Sequence, residues 1–460
     1  MTETDKNKTG GNQNMPDEWA KLNPEQKREQ RINWWRSSAE ETNFVNEDAR
    51  AAYQTRMQRL IDVYNVQEPD RVPVTFHLAQ LPFHVFGVDF QTGIYNHEKT
   101  AEVYHQFNAE YAMELECFAT PAMMPPGRAL DILGYKMYLW PGRGLAANAV
   151  EIQFVEGEYM KADEYNELIR NPSDFWMRVY LPRIFGAFEC FSRLDSITDI
   201  IEFPITQLSV LTRPELLDTL QKLIDAGKEL QKRASVLDAI GRRGLEMGYP
   251  VAAGSFCKAP FDVIGDTLRG TRGIMTDIYR QPDKLLEAMD VIADLLIKSA
   301  VTHINEVRGL MSFFPLHKGA DGWMSQKQFD KFYWPSLRKV INALIDEGVM
   351  VSLFAEGSYN TRLESVNEFP RGTVHWTFDQ TDMARAKQVL GDTCCIQGNV
   401  PSSLLFTGTP DEVKEYSRHL IEICGKGGGY ILSSGAGATE AKLENIRAMV
   451  EAAKEYGTYR

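Results

Sequence analysis

A chain of 460 residues with 43% apolar side chains can bury a large core, and its net charge of −13 argues against a nucleic-acid or anionic-membrane surface, since either needs clustered Lys and Arg. No apolar run approaches the ~18 residues that span a bilayer, and Met1–Gln30 is polar and lacks the apolar stretch of a targeting signal. The six cysteines show no spacing of a disulfide framework or zinc ribbon, so a reducing cytoplasm is the expected location.

In chain order, residues 1–30 read as a flexible polar lead-in and 31–70 as a helical extension, with Ala51–Val66 a helix covering one end of the main domain. Pro69-Asp70-Arg71 breaks that helix before the first expected strand, Val72–His77. A second strand is expected at Leu115–Ala119, a third at Val251–Phe256 and a fourth at Met311–His317. Four more come at Val349–Phe354, Thr373–Phe378, Cys394–Gln397 and Tyr430–Leu432, each running into Gly, acidic or small polar residues. Between the later strands lie helical stripes. Leu337, Val340, Ile341, Leu344 and Ile345 fall at i, i+3, i+4, i+7 and i+8 before Gly348, and Leu443, Ile446, Met449, Val450 and Ala453 repeat the pattern. Regular strand–helix alternation predicts an α/β fold, a (β/α)8 barrel over residues 71–460. Within it, about 136–165 form an insertion in which Val150–Val155 alternates with period two, as a β-hairpin does.

In such a barrel the groups at strand C-terminal ends share one mouth. That gathers His77, Asp262, Asp266, His317, Lys318, Glu356 and Asp379. Glu356 interrupts a strongly apolar strand just before Gly357, where partial desolvation suits either a general acid or a metal ligand. Catalytic roles are therefore expected for Glu356, His317 and Asp266, and substrate contacts for His77, Lys318, Asp262 and Asn399. His375 lies inside a strand, and adjacent Cys394-Cys395 cannot both point inward. Phe76, Phe83, Phe86, Phe154 and Trp323 would give the mouth an aromatic lining suited to an apolar or aromatic substrate. No His-Glu-x-x-His, Gly-x-Ser-x-Gly or phosphate-loop pattern is present.

The series Ala259-Pro260-Phe261, Met324-Ser325 with Trp334-Pro335, Phe354-Ala355-Glu356-Gly357, Gln397-Gly398-Asn399-Val400-Pro401 and Gly428-Gly429-Tyr430-Ile431-Leu432 resembles the uroporphyrinogen decarboxylase superfamily. The resemblance implies a (β/α)8 barrel and one of two chemistries: cofactor-free decarboxylation of a tetrapyrrole, or zinc-dependent methyl transfer involving a corrinoid. The decarboxylase residues are missing. Leu78-Ala79-Gln80-Leu81-Pro82 stands where Arg-Gln-Ala-Gly-Arg meets substrate carboxylates, Thr120 replaces the essential aspartate, and Asp266, Gly319 and Ala436 replace a Tyr, a Ser and a His. The methyltransferase zinc ligands, a His-x-Cys pair and a Cys, fall on Phe354, Glu356 and Ala436. A rebuilt zinc site would draw on Glu356, His317, His375 and Cys395, with Asp379 in reserve. The resemblance thus points to a methyltransferase that demethylates a small methoxylated or methylated substrate and passes the methyl to a separate corrinoid protein, with a homodimer as the expected assembly of the chain itself. The alternative is a metal-free decarboxylase or lyase, with Lys258, Lys318 or Arg269 holding a small carboxylic acid.

Overall fold

The computed structural model describes residues 15–16, 18–78, 80–121, 124–195, 209–252 and 254–459. Helix Pro24–Glu41 begins inside the stretch expected to be a lead-in, because Asn23 and Gln26 form a reciprocal capping box and Pro24 occupies the first helical position. It packs with helix Glu47–Tyr64 across the floor of the barrel. Buried Arg31 anchors it there, donating to the carbonyls of Glu347 at 2.9 Å and Gly309 at 2.8 Å. Val63 and Tyr64 plug the floor from below, against Cys395 and Ile431.

Ten strands form in chain order: β1 (Val74–Thr75), β2 (Tyr138–Pro141), β3 (Gly144–Leu145), β4 (Gln153–Phe154), β5 (Gly254–Phe256), β6 (Met311–Leu316), β7 (Met350–Ala355), β8 (Val374–Phe378), β9 (Cys395–Gln397) and β10 (Tyr430–Ser433). Seven make a curled parallel sheet in the order β1-β10-β9-β8-β7-β6-β5, surrounded by helices, the layout of a (β/α)8 barrel. The expected second strand is not among them. Leu115 instead ends helix His97–Leu115, and the chain through Cys117–Thr120 runs extended without strand pairing. The reason is local: the buried Asn108 amide donates to the Ala119 carbonyl at 2.9 Å and accepts from the Ala119 N–H at 2.7 Å, satisfying the backbone groups that a neighbouring strand would take.

The helical stripes pack as their spacing demands. Leu337, Val340, Ile341, Leu344 and Ile345 are all buried on helix Trp334–Asp346, as are Ile446, Met449, Val450 and Ala453 on helix Leu443–Tyr456. Gly348 ends the first of these with φ +71°, and an added Cβ would sit 2.4 Å from the Arg28 backbone nitrogen, so only glycine lets the N-terminal helix approach this closely. In the insertion, Tyr138 and Leu139 pair antiparallel with Phe154 and Gln153, which gives the expected hairpin character. It is tied down at two places. Tyr159 and Met160 donate backbone N–H groups to the Leu268 carbonyl, and Glu151 accepts from Thr439 beyond β10. All six cysteines are unpaired, and no helix among the described residues is long and apolar enough to cross a membrane.

Candidate active site

The segment after β5 builds one wall of the mouth. Helix Pro260–Asp262 continues into a widened π-type turn, Val263–Leu268, which carries Asp266. Asp262 is fully buried and never reaches the mouth. Its carboxylate accepts from the backbone N–H groups of His317 at 2.9 Å and Lys318 at 3.0 Å, and from the Tyr333 hydroxyl at 2.7 Å. It therefore clamps the chain just beyond β6. Its burial, reinforced by the charge of Asp266, pushes its pKa above the usual carboxylate range. The expectation that Asp262 contacts substrate is corrected by this position.

Asp266 has the opposite character. Burial opposes its ionisation, but the His317 hydrogen bond and the charges of Lys258 and Lys318 prevail and hold its carboxyl well below the usual range. Lys258 Nζ lies 2.6 Å from one oxygen, and Lys318 Nζ bonds to the other. Lys318 is itself buried and stacked over Trp323 at 4.7 Å, and its ammonium serves Asp266.

His317 joins this wall to β7. Its Nδ1 bonds to Asp266 at 2.6 Å, and its Nε2 lies 3.5 Å from the Glu356 carboxyl. Burial works against the imidazolium, yet the Asp266 hydrogen bond and the charges of Asp262, Asp266 and Glu356 outweigh it, and the pKa is raised above 6.5. Glu356 is raised as well, first by burial and then by Asp262, Asp266 and Asp379, against the pull of His317. Both groups keep access to solvent, with side-chain exposures of 32% and 43%. The result is a line from an ionised carboxylate through a proton-holding imidazole to a half-buried carboxyl at the mouth. Asp379 stands beside it and accepts from the Gly357 N–H at 3.2 Å.

Other expected residues fall elsewhere. Asn399 spends its side-chain amide on the carbonyls of Asp379 and Thr381, bracing the loop after β8. His77 lines a separate cavity beside β1, and burial lowers its pKa. His375 and Cys395 sit low in the barrel. His375 bonds to Ser352 at 3.0 Å, touches Tyr64 of the floor helix, and is driven by burial to a pKa of about 4. Cys395 packs against Val63 and Ile431 of the floor, and burial raises its thiol well above the ordinary range. Neither meets Glu356. Phe83 and Phe86 face Tyr104 and Phe107 on the outer helix instead of the mouth. Arg269 is buried against Asp277 and Glu158, away from any substrate. Two groups were not foreseen: Tyr333, the phenol that anchors Asp262, and Tyr138, whose pKa is raised by burial and by the charges of Asp266 and Glu356, which its phenol on β2 faces.

Zinc does not fit these donors. Phe354 and Ala436 stand at two of the implied positions, His317 Nδ1 is committed to Asp266, and Asp266 is held by two ammonium groups. Among the described residues no group of three or more His, Cys, Asp or Glu side chains is arranged to hold a metal ion.

A barrel with charged groups at its C-terminal mouth defines a class of enzyme-like (β/α)8 proteins. Residues 201–456, more than half of this chain, match the family described as uroporphyrinogen decarboxylase (URO-D), and the chain belongs to that family. Among similar proteins, the uroporphyrinogen decarboxylase of Pseudomonas syringae pv. tomato is 26% identical over 233 residues, covering 48% of this chain and 63% of the relative. That of Hydrogenovibrio crunogenus is 28% identical over 232 residues, covering 48% and 63%. The chain thus spans a little under two thirds of these relatives' length. A methyltransferase from Methanosarcina mazei shares the fold, with a TM-score of 0.54 and 17% identity over 86% of this chain and 98% of that one.

Proposed function

We propose that this chain is a methyltransferase that removes a methyl group from an oxygen of a small substrate, with Asp266, His317 and Glu356 as its proton-delivering line. The observation that carries the reading is the line itself, 2.6 Å at one joint and 3.5 Å at the other. The name carried by the Methanosarcina mazei neighbour supports the reaction class. When a methyl–oxygen bond breaks, the electron pair stays on oxygen, and protonation of that oxygen turns a poor leaving group into an alcohol or phenol. Glu356, whose carboxyl burial pushes above the usual range, gives that proton. His317 returns it through Nε2, and Asp266 holds the imidazolium through Nδ1. Lys258 and Lys318 keep Asp266 charged, so the proton does not stop there. A reduced corrinoid on a partner protein would supply the nucleophile that receives the methyl carbon.

A second reading is favoured by one observation: Lys258 and Lys318 converge on a single carboxylate at the mouth. Displaced from Asp266, they would hold a small carboxylic acid while the same line protonates a carbanion, as in a decarboxylase or lyase. Anaerobic assay of the full chain with methyl ethers and free reduced cobalamin separates the two. The methyltransferase reading expects methylated cobalamin and demethylated substrate in equal amounts. Release of carbon dioxide from a carboxylic acid with no need for cobalamin would overturn it.

A further inference from the structure

β1 and β5 are the outer strands of the seven-stranded sheet, and among the described residues no strand closes the sheet between them. At the floor end of that gap, away from the mouth, lies a cavity of about 190 Å³. The start of β1, the segment Glu116–Phe118, the segment Tyr249–Val251 ahead of β5 and helix Glu47–Tyr64 bound it. Leu78, Gln80 and Thr120, which stand at the family's substrate-contact positions, are not in its wall. Most of the wall is apolar, with Leu60, Val74, Phe76 and Phe118 inside and exposed Val251 at the rim. Two hydroxyls in the wall, those of Thr75 and Tyr249, are buried without a hydrogen-bond partner among the described residues, and Tyr249 is only 5% exposed. Buried hydroxyls are rarely left so. The Arg56 guanidinium lies over the Tyr249 ring, 4.1 Å from its centroid, and donates Nη1 to the Gly248 carbonyl at 2.8 Å, with no carboxylate paired to it among the described residues. The other charges in the wall are matched: Arg59 pairs with Asp70 at 2.6 Å, and Glu116 with Arg71 and Lys454. Burial keeps Cys117 a neutral thiol, its pKa pushed up to about 11.

We infer that this floor cavity is a binding site for a small monocarboxylate, held by Arg56 and the Tyr249 hydroxyl with its apolar body against Leu60, Val74 and Phe118. The inference does not depend on the reaction proposed for the mouth. A guanidinium presents its N–H groups in one plane, which a flat carboxylate meets two at a time, and stacking on the Tyr249 ring fixes that plane. Arg56 brings the one unmatched charge, so a single negative charge balances it. A phosphate dianion would bring a second negative charge towards Glu116, and a cation would meet Arg56 with no free carboxylate to receive it. A neutral molecule of the same shape gains the apolar wall but not the charge-assisted hydrogen bonds. The space is somewhat larger than the roughly 150 Å³ of an apolar cavity that holds benzene, so it takes one ring or a short branched chain beside the carboxylate.

The test uses the full-length protein with 3-fluorotyrosine in place of tyrosine, the fluorine signal of Tyr249 being assigned with Tyr249→Phe. Benzoate should shift that signal saturably, and benzamide, of the same shape but uncharged, should bind at least about tenfold more weakly. By calorimetry, Arg56→Gln should cut benzoate affinity by at least about tenfold, and Tyr249→Phe should cut it severalfold while leaving the urea-unfolding midpoint unchanged, because the native hydroxyl has no partner to lose. If Arg56→Gln misfolds, the comparison of benzoate with benzamide on the wild type still decides. A Tyr249 signal unmoved at saturating benzoate would overturn the site, including the case in which benzoate binds at Lys258 and Lys318 of the mouth instead. Benzamide or inorganic phosphate binding as tightly as benzoate, or full benzoate affinity in folded Arg56→Gln, would overturn it as well.

Discussion

His317 stands between two carboxyl groups of opposite character. Asp266 is held ionised by two lysines and the imidazole itself, whereas Glu356 is pushed towards its protonated form by burial. The histidine pKa is raised above 6.5, so its imidazolium is fully present below that value and is lost as pH rises through the raised one. Activity should therefore fall along an alkaline limb above pH 6.5. Asp266→Asn removes the largest upward contribution, and the limb should move to lower pH, with activity near neutrality reduced. A pH–rate profile checks this, and an unmoved limb would show that His317 is not the proton reservoir. The place of Glu356 beyond β7 was legible in the sequence because it follows an apolar strand just before Gly357. His375 and Cys395 were misplaced for a physical reason: strand alternation reports which face a side chain takes, not its height along the barrel axis. His375 is the second residue of β8 and Cys395 the first of β9, at the floor, while Asp379 and Asn399 lie past the other ends of the same strands. Tyr333 was hidden in the aromatic-rich stretch Phe329–Trp334, where a phenol looks like one more core ring.

At the level of elements, the apolar runs at β6 through β10 were legible because each is short, holds a β-branched or aromatic residue, and runs into glycine, a carboxylate, histidine or a small polar residue. Leu115–Ala119 shares that composition but belongs partly to a helix, and the capture of Ala119 by Asn108 is a contact between side chain and backbone that no periodicity reveals. Asn108→Ala should leave two buried backbone groups unpaired and lower stability by roughly 2 kcal/mol or more, measured by urea unfolding. A change within a few tenths of a kcal/mol would mean that the segment pairs otherwise. The floor helix offers a second test. Gly348→Ala combines a positive φ with a clash against the Arg28 backbone, and should cost more than about 1 kcal/mol. Limited proteolysis should then cut helix Pro24–Glu41 first, ahead of the barrel.

For the molecule as a whole, the insertion and the acid line are mechanically joined. The strands that carry Tyr138 over the mouth are pinned through Tyr159 and Met160 to Leu268, the end of the turn that carries Asp266. The hairpin and the turn that carries Asp266 are thus one structural unit. In the proposed reaction the groups at the mouth supply a proton in place of a Lewis acid, and on that proposal exhaustive treatment of the purified protein with a chelator should leave turnover unchanged. Restoration by added zinc of activity lost to the chelator would contradict that.

The measurement that bears most directly on the central claim is the rate of demethylation by Glu356→Gln beside wild type, with reduced cobalamin as acceptor and circular dichroism to confirm folding. The amide keeps the shape of the carboxyl but cannot give up a proton to oxygen. The expected result is a kcat lower by about 10²–10⁴-fold, the usual contribution of a positioned general acid, with KM changed little. A folded Glu356→Gln protein turning over at the wild-type rate would contradict the proton-delivering role of this line.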